Sequence, residues 1–252
     1  MSSKDQERIQ ELEREVEYLR QSLAKRKRWF RQVLRRYVTD EVMRELIESN
    51  KGLSIASERR EVTVLFTDIR HSTKLSDNMD PENYISFLNH YLEEMIVVID
   101  SWQGNILSFV GDAIVAVFGA PKPNSEAARN AVCSAVAMQR CMKRVNDWNR
   151  EQEYPQIEMG VSIHTGEAIV GCIGSETRMK YDVIGRNVNL AARMVSYADG
   201  GQIYISDTTL AEAGDDVIER LEGRKVVRPK GIQEEVCIHD IVGIGALRIH
   251  TT

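Results

Sequence analysis

The chain predicts an α+β protein with a β-α-β-β-α-β core, the ferredoxin-like arrangement, extended by C-terminal strands and preceded by a long helix. Three observations carry this. Short β-branched runs end at an aspartate in Val62-Thr63-Val64-Leu65-Phe66-Thr67-Asp68 and again at Phe109-Val110-Gly111-Asp112. Longer stretches between such runs space their apolar residues three and four apart. A polar, helix-favouring segment with a narrow apolar stripe comes before all of them.

In that first segment Ile9, Leu12, Val16, Leu19 and Leu23 alternate at a/d spacing, and Phe30 and Tyr37 extend the register beyond Arg26. The stripe is two residues wide per heptad, narrower than a helix packed on a domain core needs, so residues 1–37 are assigned to a coiled coil rather than a lone amphipathic helix. Residues 38–58 form a second short helix, Thr39 to Glu48 with Thr39 as N-cap, and then a polar linker after Asn50-Lys51-Gly52. The main domain occupies 59–243. Its first strand ends at Asp68, and Asp80-Pro81-Glu82 opens a helix carrying Tyr84, Leu88, Tyr91, Leu92, Met95 and Ile99. Ile106 to Phe118 folds as two strands about Gly111-Asp112. Pro121 and Pro123 mark a loop before an alanine-rich helix, Ser125 to Arg150. A second strand pair, Ile157 to His164 and Glu167 to Cys172, turns at Thr165-Gly166. A helix over Asn187–Ser196, a strand over Gln202–Ser206 and two strands after Val217 complete the domain, leaving 244–252 as a tail.

Composition narrows the function classes. With 252 residues, 42% apolar and 28% charged, the chain has the make-up of a soluble globular protein. A net charge of -5 gives no electrostatic basis for nucleic-acid binding. Cys133, Cys141, Cys172 and Cys237 form no C-x-x-C pair, so the expected metal site uses oxygen donors only, and the isolated cysteines point to a reducing, cytoplasmic setting. The N-terminus lacks an apolar signal core, and no apolar run approaches the roughly 20 residues of a membrane span.

Two carboxylates at rigid strand ends are suited to hold divalent cations against a polyphosphate. In Tyr181-Asp182-Val183-Ile184-Gly185-Arg186-Asn187-Val188-Asn189-Leu190-Ala191-Ala192-Arg193, Asn189 and Arg193 lie four apart and share one helix face. An amide and a guanidinium so placed can hold a ribose and a developing phosphate charge. His164 reads as a packed strand-end histidine rather than a catalytic base.

Together with Phe66-Thr67-Asp68-Ile69, Phe109 to Gly119 and Ile163-His164-Thr165-Gly166, this segment resembles the class III nucleotide cyclase catalytic domain, over about Arg60 to Gly243. The resemblance implies that Asp68 and Asp112 bind two Mg²⁺ or Mn²⁺ ions, assisted by the Ile69 backbone carbonyl. It places Phe66 and Thr67 beside the substrate, Asn189 on the ribose, Arg193 on the α-phosphoryl group and Lys230 on the terminal phosphates. It further implies a homodimer with sites at the interface, metal aspartates from one chain and the Asn/Arg helix from the other, and an upstream regulatory module acting through residues about 35–49. Base selection falls to Ser108 and Asp182. Asp182 is typical of adenine-selecting members, whereas Ser108 stands where adenylate cyclases usually carry Lys and guanylate cyclases Glu. Gly160 stands where the family often has an arginine that contacts the triphosphate. The expected activity is conversion of ATP to 3′,5′-cyclic AMP and pyrophosphate. The alternatives are a cyclase with other or relaxed base selectivity, and a cyclase-like regulatory or dimerisation module.

Overall fold

The computed structural model describes residues 3–34, 39, 42–45, 57–175, 177–218 and 221–249. Its centre is β1 (Glu58–Ile69), which pairs antiparallel with β3 (Ala113–Phe118) on one side and β4 (Met159–Ser175) on the other. β2 (Asn105–Val110) lies outside β3, giving the order β2-β3-β1-β4 of the expected ferredoxin-like core. β6 (Ile203–Ser206) adds parallel to β4, and β8 (Val236–Ile241) and β7 (Leu221–Val227) continue the sheet antiparallel. β5 (Arg178–Ile184) pairs with the outer part of β4, from Ile169↔Ile184 to Ser175↔Arg178, and leaves the main sheet as a two-stranded ribbon. β9 (Gly243–Ile244) and β10 (Leu247–Arg248) form a small separate pair.

Side-chain alternation along β1 feeds two cores. Leu65 and Ile69 join Phe87, Tyr91, Met95 and Ile99 of α3 (Pro81–Ser101) and Ala131, Val132, Ala135 and Met138 of α4 (Ala127–Glu151). Val62 and Val64 face the opposite way, into a cluster with Val115, Val117, Val170, Val183 and Ala191, the last from α5 (Arg186–Met194). Each large side chain so buried contributes about 1.5–3 kcal/mol. Helix α3 starts where the sequence signals it: Pro81 is its first residue, and the Asp80 carboxylate accepts the Glu82 amide at 3.0 Å.

Several elements differ from the sequence expectation. Thr165-Gly166 is not a turn, because β4 runs unbroken from Met159 to Ser175 and Gly166 pairs with Val62 of β1. A Cβ at Gly166 would lie 2.5 Å from the Asn187 side-chain nitrogen, so the glycine serves a close approach between strand and helix. β5 was not expected as a strand. Nor were the short helices α2 (Ser72–Asn78), α6 (Asp207–Ala213) and α7 (Asp215–Ile218).

Helix α1 (Ser3–Leu34) covers most of the proposed coil, and in the single chain Ile9, Leu12, Val16, Leu19 and Leu23 are 42–56% exposed. The boundary at residue 37 and most of the 38–58 segment lie outside the described residues. Residues 42–45 are helical, the Met43 amide donates to the Thr39 carbonyl at 2.9 Å, and Val42 and Met43 are buried. Among the described residues no helix is long and apolar enough to cross a membrane.

Candidate active site

β1 and the β2–β3 hairpin bring the two aspartates together. Asp68 is the penultimate residue of β1, and Asp112 sits in the turn between Val110 and Ala113, where Gly111 adopts a φ of 64°. The Ile69 amide donates to Oδ2 of Asp112 at 2.9 Å, which pins the turn against the strand end. Arg70 pairs with the Asp68 carboxylate and also donates to the Asp68 carbonyl. Partial burial pushes the Asp68 carboxyl above its ordinary range, Arg70 pulls it down, and the Asp112 carboxylate pushes it up again. The two anions therefore sense each other, and their donor set is oxygen only. That fits a hard divalent cation.

Thr67 lies on the other face. It is fully buried, its hydroxyl accepts the Ile114 amide at 3.0 Å and meets the Tyr91 hydroxyl at 3.3 Å. Its side chain therefore fixes the start of β3 behind the hairpin rather than facing an open substrate surface. Phe66 is half-buried and packs on the cluster beneath α5.

The second group is built on α5. Asn187, in its first turn, donates to the Glu167 carbonyl at 2.8 Å, while its Oδ1 lies 3.1 Å from Nε2 of His164. The other ring nitrogen of His164 meets the Ser206 hydroxyl at 2.8 Å. Burial lowers the His164 pKa, so the ring is held neutral as a packing and hydrogen-bonding group. With Asn187 locked inward, Asn189 is exposed and Arg193 half-buried. The turn carrying Lys230 docks beside Arg193: Gly231 has φ 73°, and a Cβ there would sit 3.1 Å from the guanidinium. The Tyr197 hydroxyl donates to the Arg228 carbonyl at 3.1 Å and ties the same loop to the end of the helix.

The remaining candidates lie on other strands. Ser108 is half-buried on β2, just past a bulge, opposite Val115. Asp182, on β5, accepts from Lys180 Nζ at 3.1 Å and from the Val183 amide at 2.9 Å. Within one chain no hydrogen bond or ion pair among the described residues joins Asp68 or Asp112 to Asn189, Arg193 or Lys230. The aspartate pair and the Asn189, Arg193 and Lys230 group are therefore not directly bonded to each other within the chain. Gly160 pairs with Asp68 across β1 and β4, and a Cβ there would meet the Ala198 carbonyl at 3.0 Å and the Arg70 guanidinium at 3.4 Å. A larger side chain there would need the Ala198 backbone and Arg70 to give by a few tenths of an ångström, and Arg70 brings a cation near that position. Sequence reasoning missed Arg70, one residue past the Phe66-Thr67-Asp68-Ile69 motif, and Asn187, which lies inside the Tyr181 to Arg193 segment.

Fold and site geometry together define the class. Residues 55–239 match the adenylate and guanylate cyclase catalytic domain, and the chain belongs to that family. Adenylate cyclase 1 of Rhizobium meliloti is 31% identical over 82% of this chain, and an adenylate cyclase of Anabaena cylindrica 33% over 74%. The chain spans only 31% and 38% of those relatives' lengths. Among solved structures, the guanylyl cyclase Cya2 superposes with a TM-score of 0.75 at 41% identity, covering 78% of this chain and 100% of that one. The adenylyl cyclase CyaB from P. aeruginosa gives 0.72 at 35% identity, covering 77% and 99%.

Proposed function

We propose that this domain is an adenylate cyclase, converting ATP to 3′,5′-cyclic AMP and pyrophosphate at sites shared between two copies of the chain. The observation that carries it is the pairing of Asp68 and Asp112 through the Ile69 amide, in a family whose members are nucleotide cyclases. The two carboxylates, with the Ile69 carbonyl, would hold two Mg²⁺ or Mn²⁺ ions, which when bound lower the pKa of the ribose 3′-hydroxyl and neutralise phosphate charge. Asn189 orients the ribose. Its 3′-oxygen forms a bond to the α-phosphorus as the bond to the bridging oxygen breaks, and pyrophosphate leaves. Arg193 faces the charge developing on the α-phosphoryl group, and Lys230 the terminal phosphates.

Adenine rests on Asp182, whose carboxylate can accept from the 6-amino group and repels a 6-oxo group. Lys180 shares that carboxylate, and Ser108 supplies a hydroxyl where a lysine would donate, so discrimination is weaker than a Lys/Asp pair would give. The guanylyl cyclase among the structural relatives makes GTP the second reading. Incubating the chain with each of the four ribonucleoside triphosphates and Mn²⁺ tests both. Cyclic AMP as the main product supports the proposal, preferential cyclic GMP assigns the alternative base, and no cyclic product from any of them leaves a nucleotide-binding module.

A further inference from the structure

A second cluster of ligand-type side chains lies away from the strand-end carboxylates. β6 pairs with β8 in the register Ile205↔His239 and Ser206↔Ile238, so Asp207, the first residue of α6, emerges beside β8. Cys237 and His239 are two apart on β8 and share a face. Nε2 of His239 consequently lies 2.6 Å from Oδ1 of Asp207 and 3.7 Å from Sγ of Cys237. One ligand atom from each residue lies within 4.8 Å of the others. His239 is only 6% exposed, so the sheet fixes the ring, and its Nδ1 edge is buried without a partner.

We propose that Asp207, Cys237 and His239 form a binding site for a borderline-soft divalent transition metal of the zinc class. Thiolate, imidazole and carboxylate are its three protein ligand types, with solvent in the fourth position. Tetrahedral zinc sets N···S near 3.5 Å and N···O near 3.3 Å, estimated from about 2.3 Å Zn–S and about 2.0 Å Zn–N and Zn–O bonds. The Cys237–His239 pair already has that spacing. Asp207 must retreat by about 0.7 Å from its present 2.6 Å, and its side chain is exposed and free to do so. Binding at Nε2 requires the His239 hydrogen to sit on Nδ1, and binding at sulfur releases the thiol proton. Exposed Arg224, whose Nε lies 2.7 Å from Sγ of Cys237, has to swing aside as the metal enters. Mg²⁺ and Mn²⁺ prefer all-oxygen donors, so the two sites sort metals by softness. The bound ion would fasten the β7–β8 hairpin, whose loop bears Lys230, to α6.

Cobalt(II) distinguishes the sites, because thiolate ligation produces a near-ultraviolet charge-transfer band that oxygen donors do not. Titrating the full chain with Co²⁺ in excess Mg²⁺ should give such a band saturating at one ion per chain and displaced by Zn²⁺. Cys237→Ser should abolish it while Cys172→Ser retains it. Asp207→Asn, at an exposed side chain and with unchanged melting as its control, should weaken cobalt binding at least about tenfold. The absence of a band, a band surviving Cys237→Ser, or unchanged affinity in Asp207→Asn would overturn the assignment.

Discussion

One amide, Asn187, seats the helix that carries Asn189 and Arg193, because it bonds the Glu167 carbonyl and His164 at once. Replacing it by alanine leaves the buried His164 ring without that partner and hands the exposed Glu167 carbonyl to water. Asn187→Ala should therefore cost about 1–3 kcal/mol in urea unfolding and lower cyclase turnover by displacing α5. Gly231 acts from the other side of Arg193. Gly231→Val forces a β-branched residue into φ 73° and pushes a side chain onto the guanidinium, so kcat should fall by an order of magnitude or more while Mn²⁺ binding is unchanged. A third residue sets a pH dependence. Burial and the neighbouring Glu222 carboxylate push Asp240 from 3.8 to about 6, against hydrogen bonds from Gln202 and the Ile203 amide. The native state thus keeps a proton that the unfolded chain has lost. That contribution is full below about pH 4 and disappears as the pH rises through about 6. Asp240→Asn should gain stability relative to the unmodified chain by about 1–2 kcal/mol between pH 4 and 7, read by denaturant titration at each pH.

Among the elements, α1 leaves its apolar stripe uncovered in the single chain. Leu12→Glu with Leu19→Glu should raise the concentration at which chains pair, seen by analytical ultracentrifugation, without changing the domain's melting. If pairing is unaffected, the stripe is not the seam. Elements with strong periodicity or caps were readable in advance: α3 from Asp80-Pro81 and its apolar ladder, the β2–β3 hairpin from Gly111-Asp112, and the long helix α4. Those that failed lacked a local signal. Thr165-Gly166 has turn chemistry, but its glycine answers to the Asn187 side chain, a contact about 20 residues away in sequence. β5 is short and half exposed, and only pairing with β4 makes it a strand. The Asp207–Cys237–His239 grouping escaped because its members meet through the β6–β8 register rather than through sequence spacing.

For the whole molecule, the proposed sharing of the site between two chains makes assembly the testable quantity. A chain carrying Asp68→Ala and one carrying Arg193→Ala should each be inactive. Mixed and allowed to exchange, they should recover up to about a quarter of the unmodified activity, since half of random pairs are heterodimers with one intact site. Verified heterodimers without activity would place both halves in one chain. The candidate residues of each group were named from the sequence through strand-end carboxylates, helix spacing and the family resemblance. Their supports were not: Arg70 beside Asp68 and the Lys230 turn against Arg193 depend on how strands and loops stack.

β4 links these scales mechanically. One strand carries Gly160 opposite Asp68, His164 against Asn187, and then, beyond Val170, the ribbon formed with β5. From Gly166 to Ser175 it extends about 30 Å at roughly 3.3 Å per residue, with positive φ at Gly171 and Gly174, where backbone packs too close for a Cβ. A load applied at the ribbon tip therefore has a paired, closely packed strand to travel along, and it arrives at the seat of α5, where Asn187 bonds the Glu167 carbonyl, before it can be felt by Asn189 and Arg193.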